Sequence, residues 1–146
     1  MRELLKTAKE YDVILCLENM PFLDFSLSAP QEILKIVKEM NDDHFKICLD
    51  TGHVSVFGDL SVGDEVRRLN KEIRALHIHD NKFGIDSHYM PFFGKIDWKD
   101  FSKSLKEIGF DGVFSLETSP PQKLDDDLFE DLCFVLAKMA RRIMGE

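Results

Sequence analysis

Four short runs along the chain are dominated by apolar and strand-favouring residues: VILCLE at 13–18, FKICLD at 45–50, RALHIHD at 74–80 and GVFSLE at 112–117. Their length and composition predict strands. Between them the period changes to that of a helix. SAPQEILKIVKEM (28–40) opens with Ser28, Pro30 and Gln31 in a capping-box arrangement and places Ile33, Leu34, Val37 and Met40 on one face. LSVGDEVRRLNKEI (60–73) predicts a helix capped by Ser61, and DWKDFSKSLKEIGF (97–110) one that starts at Asp97 and stops at Gly109. A further helix covers residues 2–11. The last, from about Asp125 to Met144, carries Leu128, Leu132, Val135, Leu136, Met139 and Ile143 at helical spacing. The order α-β-α-β-α-β-α-β-α predicts an α/β fold, a parallel sheet of (β/α) units in a single domain over 1–146.

Residues two apart on a strand share a face of the sheet. Glu18 therefore lies above Cys16, Asp50 above Cys48, His77 above Ala75 and Glu117 above Ser115. The intervening Leu17, Leu49, Leu76 and Leu116 suit the face covered by helices. This pattern predicts small interior residues topped by a ring of metal-ligand types at the carboxyl ends of four successive strands, the end at which a (β/α)8 barrel assembles its active site. A doubly wound sheet also binds ligands at that edge, but rarely with one such residue on each of four consecutive strands.

Singly, each residue has a local explanation: Glu18 as a loop cap, Asp50 as an Asx-turn, His77 as a hydrogen-bonded core histidine. Together, three carboxylates and an imidazole at one strand end repel unless a cation compensates them. The set suits Zn²⁺, Mn²⁺, Co²⁺ or a similar divalent ion, with Mg²⁺ included among the candidates. A second group follows: His53, on a loop three residues after Asp50, with Asp86 and His88 in the long stretch after the third strand. It reads as a solvated loop, as a second metal site or as groups that orient substrate and ligands.

Composition narrows the chemistry. The 146 residues are 44% hydrophobic and 32% charged, a globular balance, and the formal net charge of −8 disfavours a nucleic-acid partner relative to a small molecule. No run of about 18 apolar residues predicts a membrane span, and the charged N-terminus is unlike a signal peptide, so the expected location is cytoplasmic. Cys16, Cys48 and Cys133 stand in apolar runs without C-x-x-C spacing and are expected to be reduced core residues. No Ser-His-Asp arrangement, Walker motif or G-x-G-x-x-G offers a covalent, phosphoryl-transfer or dinucleotide mechanism.

The strings LEN (17–19), LDTGH (49–53), HIHDN (77–81), DSH (86–88) with GKIDW (94–98), and LET (116–118) together resemble the xylose isomerase-like TIM barrels. That family includes sugar isomerases and epimerases and the type-IV apurinic endonucleases. The resemblance implies that Glu18, Asp50, His77 and Glu117 bind one divalent metal. It implies that His53, Asp86 and His88 bind an additional one in endonuclease-like members. His79 also faces inward by alternation, but the resemblance places the ligand at His77. It covers only the second half of the barrel, so the four strands would be strands five to eight. Phe92 departs from the pattern, standing where the family's loop usually has a glycine.

The implied function is a metal-dependent sugar or sugar-phosphate isomerase or epimerase, with Glu18 and Glu117 as base and acid. The alternatives are a metal-cluster apurinic endonuclease-like phosphodiester hydrolase and a non-catalytic fragment. A half barrel leaves open edges, so the chain is expected either to associate with a second copy as a homodimer or with a separate N-terminal half, or else to be marginally stable and prone to aggregate.

Overall fold

The computed structural model describes residues 1–22, 26–56, 60–82, 84–119 and 123–145. Its elements run α1 (Arg2–Glu10), β1 (Leu15–Glu18), α2 (Pro30–Met40), β2 (Phe45–Asp50), α3 (Thr51–Val56), α4 (Val62–Leu69), a 3₁₀ turn (Asn70–Glu72), β3 (Ile73–Ile78), α5 (Trp98–Ile108), β4 (Val113–Leu116) and α6 (Asp126–Met144). The strands pair in parallel in the order β1-β2-β3-β4. This is half of a TIM barrel, with each strand beside its neighbour in the chain. No helix among the described residues is long and apolar enough to cross a membrane.

Several local signals hold. Ser61 Oγ accepts the Asp64 N–H at 3.3 Å, the Asp97 carboxylate accepts those of Lys99 and Asp100, and Gly109 closes α5 at φ 59°. Others give way to tertiary demands. The first strand starts at Leu15 because Val13 N–H is already donated to the Ala8 carbonyl at the end of α1. Ser28 does not cap α2; Ala29 is the N-cap, Gln31 reaches away to Glu65, and Glu32 accepts the Leu27 N–H at 3.0 Å. After Asp50 the chain turns at once into α3, so His53 sits on a helical turn and not on a loop.

Helices cover one face of the sheet. Ile47, Leu49, Leu76 and Ile78 point into that layer with no residual exposure and meet Ile33, Val37, Val66 and Phe101. Leu17 and Leu116, on the edge strands, join the same cluster while remaining partly exposed. The opposite face is open at its edges, where Cys16 and Ser115 are exposed.

Two expectations are corrected by that openness. Of the three cysteines only Cys48 is in the core, its thiol pushed up to about 12 by burial first and by nearby carboxylates such as Glu18 after it. Cys16 and Cys133 are exposed, with no layer of the described residues over the faces that carry them. Likewise α6 buries only Ile143 fully; Leu128 and Val135 of its predicted apolar face are exposed. The helix lies against α5 and the edge strand β4.

Candidate metal centre

Each ligand-type side chain stands at or just beyond the end of its strand. Glu18 and Asp50 are the last residues of β1 and β2, His77 is the penultimate residue of β3, and Glu117 follows β4 while still donating its N–H to the Ile78 carbonyl at 3.0 Å. The register is staggered: Glu18 pairs with Cys48, Asp50 with His77, and His77 with Ser115. In a flat sheet β1 and β4 would be roughly 14 Å apart, three spacings of about 4.8 Å. Yet one ligand atom from each of Glu18, Asp50, His77 and Glu117 falls within 4.8 Å of the other three. The sheet therefore curls around this point as a barrel wall does.

His77 Nδ1 is the focus of the group. It lies 3.0 Å from Glu18 Oε1 and 2.7 Å from Glu117 Oε2. A single ring nitrogen cannot satisfy two carboxylates, and Glu117 Oε2 is buried without a hydrogen bond despite that proximity. Asp50 is fully buried; its backbone N–H and carbonyl are clamped by the Asn19 side chain at 2.8 and 3.1 Å, and its carboxylate accepts the His53 N–H at 2.7 Å. Three converging carboxylates, one with an orphaned oxygen, and one imidazole form a donor set that fits a divalent cation.

A second group lies beside the first, made of His53, His79, Asp86 and His88. His53 Nδ1 donates to the Asn19 carbonyl at 2.7 Å and His88 Nδ1 to the Glu117 carbonyl at 2.9 Å. In the neutral rings Nε2 is then the lone-pair nitrogen, and both Nε2 atoms face Asp86 Oδ2 at 3.3 Å. Lone pairs opposed in this way fit a cation between them, and Asp86 Oδ1 is a second buried oxygen without a partner. Burial alone would lower the His88 pKa, but its hydrogen bond to Glu117 and the carboxylates of Asp86, Glu117 and Asp50 outweigh it and hold the ring above its ordinary value.

The structure therefore brings together all seven residues singled out in the sequence. It adds three. Asn19 joins the end of β1 to Asp50 and orients His53. His79 hydrogen-bonds Asp50, whereas His77 lies against Glu18 and Glu117; the HIH spelling shows that both rings face inward but not which carboxylate each meets. Asp80, fully buried, accepts N–H groups from Asn81 and Ile96 at 2.9 and 3.2 Å and from Trp98 Nε1 at 2.8 Å, while its backbone bridges to Tyr89. It anchors both ends of the stretch that carries Asp86 and His88.

Phe92, in that stretch, has φ 74°, a left-handed value that explains why a glycine suits the position. Its ring lies 5.9 Å from that of Trp98, an aromatic contact worth about 0.5–1.5 kcal/mol against a backbone cost of roughly 1–2 kcal/mol.

Comparison with known proteins gives these features a setting. The family model described as "Xylose isomerase-like TIM barrel" matches residues 1–134. A D-psicose 3-epimerase of Enterocloster bolteae is 29% identical over 118 residues, covering 80% of this chain and 37% of that protein. A solved D-psicose 3-epimerase from Clostridium cellulolyticum H10, with D-tagatose, superposes with a TM-score of 0.84 at 22% identity, over 98% of this chain and 53% of the other. The IOLI protein, solved with a zinc atom, gives a TM-score of 0.81 at 24% identity, over 99% and 55%. The chain thus spans well under two thirds of the relatives it matches.

Proposed function

Because the chain belongs to the xylose isomerase-like TIM barrel family, we propose that it forms the strand-five-to-eight half of a divalent-metal-dependent sugar or sugar-phosphate isomerase or epimerase. The observation that carries this reading is the convergence of Glu18, Asp50, His77 and Glu117 from four successive strands to within 4.8 Å. These four would hold one ion. His77 favours Zn²⁺, Mn²⁺ or Co²⁺ over Mg²⁺, and zinc accompanies one fold neighbour. The ion would supply polarisation of the adjacent oxygens of a hydroxy-carbonyl substrate, making the hydrogen on the hydroxyl-bearing carbon beside the carbonyl acidic.

The chain's own residues do the rest. Glu18 and Glu117 reach the site from the two edge strands and approach the same nitrogen of His77. That arrangement would put a carboxylate on each side of a bound carbon, one to take the proton and one to return it. Asp50 and His77 stay fixed. His53, Asp86 and His88 would hold a second ion or orient the substrate.

Metal content decides the first part. The purified protein is expected to carry a divalent ion that falls away in Asp50→Asn and His77→Ala; unchanged content in both would make the ring structural. Glu117→Gln, in protein supplied with the other half of the barrel, is expected to abolish exchange of the substrate's carbon-bound hydrogen with solvent deuterium, whereas His88→Ala is milder.

The second group favours another reading, phosphodiester hydrolysis at abasic DNA. The formal charge of −8 opposes it. Cleavage of an abasic duplex without deuterium exchange on any sugar would decide for it, and neither activity would decide for a non-catalytic fragment.

The remaining four strands of the barrel would come from a second copy or from a separate N-terminal half. The free edges of β1 and β4 and the exposed Cys16 and Ser115 support this. Light scattering over a range of concentrations is expected to show association or aggregation; a stable, cooperatively unfolding monomer would overturn it.

A further inference from the structure

Every part of the second group has a conventional reading as a metal ligand except His79, the ring that sequence reasoning set aside. Its nitrogen falls among those of His53, Asp86 and His88 by distance alone. Its orientation says otherwise. The His79 and His88 rings are stacked, with centroids 4.0 Å apart and planes 8° from parallel. Imidazole nitrogens bind an ion through lone pairs in the ring plane, at about 2.0–2.1 Å for zinc. Lone pairs in two parallel planes run side by side and do not converge, so this stack cannot deliver both rings to one ion.

What His79 does reach is Asp50. Its Nε2 is 2.9 Å from Asp50 Oδ1 and 3.1 Å from Oδ2, and both side chains are fully buried. Donation from Nε2 leaves Nδ1 as a bare lone pair, in keeping with Nδ1 having no hydrogen-bond partner. The ring has no room to leave. Behind it is Gly52, where an added Cβ would stand 1.8 Å from Cε1; in front of it is His88. Its backbone is fixed as well, since the Thr51 hydroxyl accepts the His79 N–H at 3.2 Å and donates to the His79 carbonyl at 2.9 Å.

We propose that His79 is the positioning residue of Asp50: a ring wedged between Gly52 and His88 donates its Nε2–H to the carboxylate and holds it toward Glu18, His77 and Glu117. This rests on the reading of those four residues as a metal site and assigns to His79 the control of how firmly Asp50 is presented there. Partners of this kind typically change metal affinity by 10–100-fold when removed. The device also links the two groups of ligand-type residues, since movement of His88 frees one face of the ring that sets Asp50.

Nitrogen-15 NMR of the full metal-free chain, labelled at histidine, tests the hydrogen bond without any ion. His79 is expected as the Nε2–H tautomer with a slowly exchanging proton, and that signature is expected to be lost in Asp50→Ala. The opposite tautomer, or a signature indifferent to Asp50, would overturn the proposal. Cobalt(II) binding followed by visible absorption supplies the functional readout. His79→Leu is expected to weaken the site containing Asp50 by 10–100-fold while the number of ions bound stays unchanged, and His79→Gln, which keeps a donor, to recover part of the loss. In an Asp50→Ala background, His79→Leu is expected to add nothing. Loss of one bound ion in His79→Leu would make His79 a ligand and overturn the proposal; so would unchanged affinity in a variant whose circular dichroism is native. If the unsubstituted protein binds no cobalt while the NMR signature is present, the metal reading fails and the hydrogen-bond assignment survives.

Discussion

Replacing Gly52 with alanine is expected to destabilise the protein by about 2–6 kcal/mol, from overpacking together with loss of a buried hydrogen bond. The new methyl carbon would lie 1.8, 2.2 and 2.5 Å from Cε1, Nδ1 and Nε2 of His79. Such overlaps are cheap where a flexible side-chain end can swing into solvent. Here the ring is fully buried and stacked on His88, so relief requires either displacing His88 or moving the α3 turn. Both outcomes break the contact with Asp50. The midpoint of denaturant unfolding, measured on metal-free protein, reads the stability change. A midpoint within error of the unsubstituted protein would show that the close approach of Gly52 to the ring is not a constraint.

Asp80→Ala is the second substitution with a large expected effect. It strips the acceptor from two main-chain N–H groups and from Trp98 Nε1. A buried donor left without an acceptor costs roughly 1–3 kcal/mol, so three of them cost on the order of 3–5 kcal/mol once water has entered to satisfy some. The damage is directional. With Ile96 and Trp98 released, the segment bearing Asp86 and His88 keeps its main-chain bridge from Asp80 to Tyr89 but loses its side-chain anchor at the far end, which loosens the hold on Asp86 between its two imidazoles. Trp98 is the sole tryptophan of the chain, so its fluorescence reports this event directly: the emission is expected to shift to the red as the indole gains solvent. Asp80→Asn is expected to be intermediate, since its oxygen can still accept from Asn81 and Ile96 while its amide faces the Trp98 N–H donor to donor. Emission unchanged in Asp80→Ala would mean that the indole is held by its ring contacts with Phe92 and Phe101 alone.

These effects also show where the sequence was readable. The positions of Glu18, Asp50, His77 and Glu117 follow from period-2 alternation, a property of the strand that survives without knowledge of any partner. Leu49 and Leu76 obey the same rule on the other face and are fully buried. Readings that depend on a partner fared differently. Leu128 and Val135 form a helical stripe in α6, but amphipathicity states a need for burial and does not supply the surface that meets it. Cys16 fails as a core residue for the same reason. His79 was visible as an inward-facing ring, yet its bond to Asp50 joins residues 29 apart across two strand ends, and alternation carries no information on such pairs. The role of Asp80 was similarly hidden, because its donors lie up to 18 residues downstream in a stretch with no periodicity.

The order β1-β2-β3-β4 has a bearing on how the site comes into being. Each strand pairs only with its neighbour in the chain, so no step of assembly has to close a loop longer than one βα unit, which keeps the closure entropy of each step low for a parallel sheet. Among the described residues only β2 and β3 have a strand on both sides. They are the natural place for order to begin, and they bring Asp50, His77 and His79 with them. The edge strands join afterwards and hold by one ladder each, which makes them the cheapest to open again. Glu18 ends β1 and Glu117 follows β4, so in the chain by itself the carboxylates proposed to move a proton are the last to arrive and the first to let go.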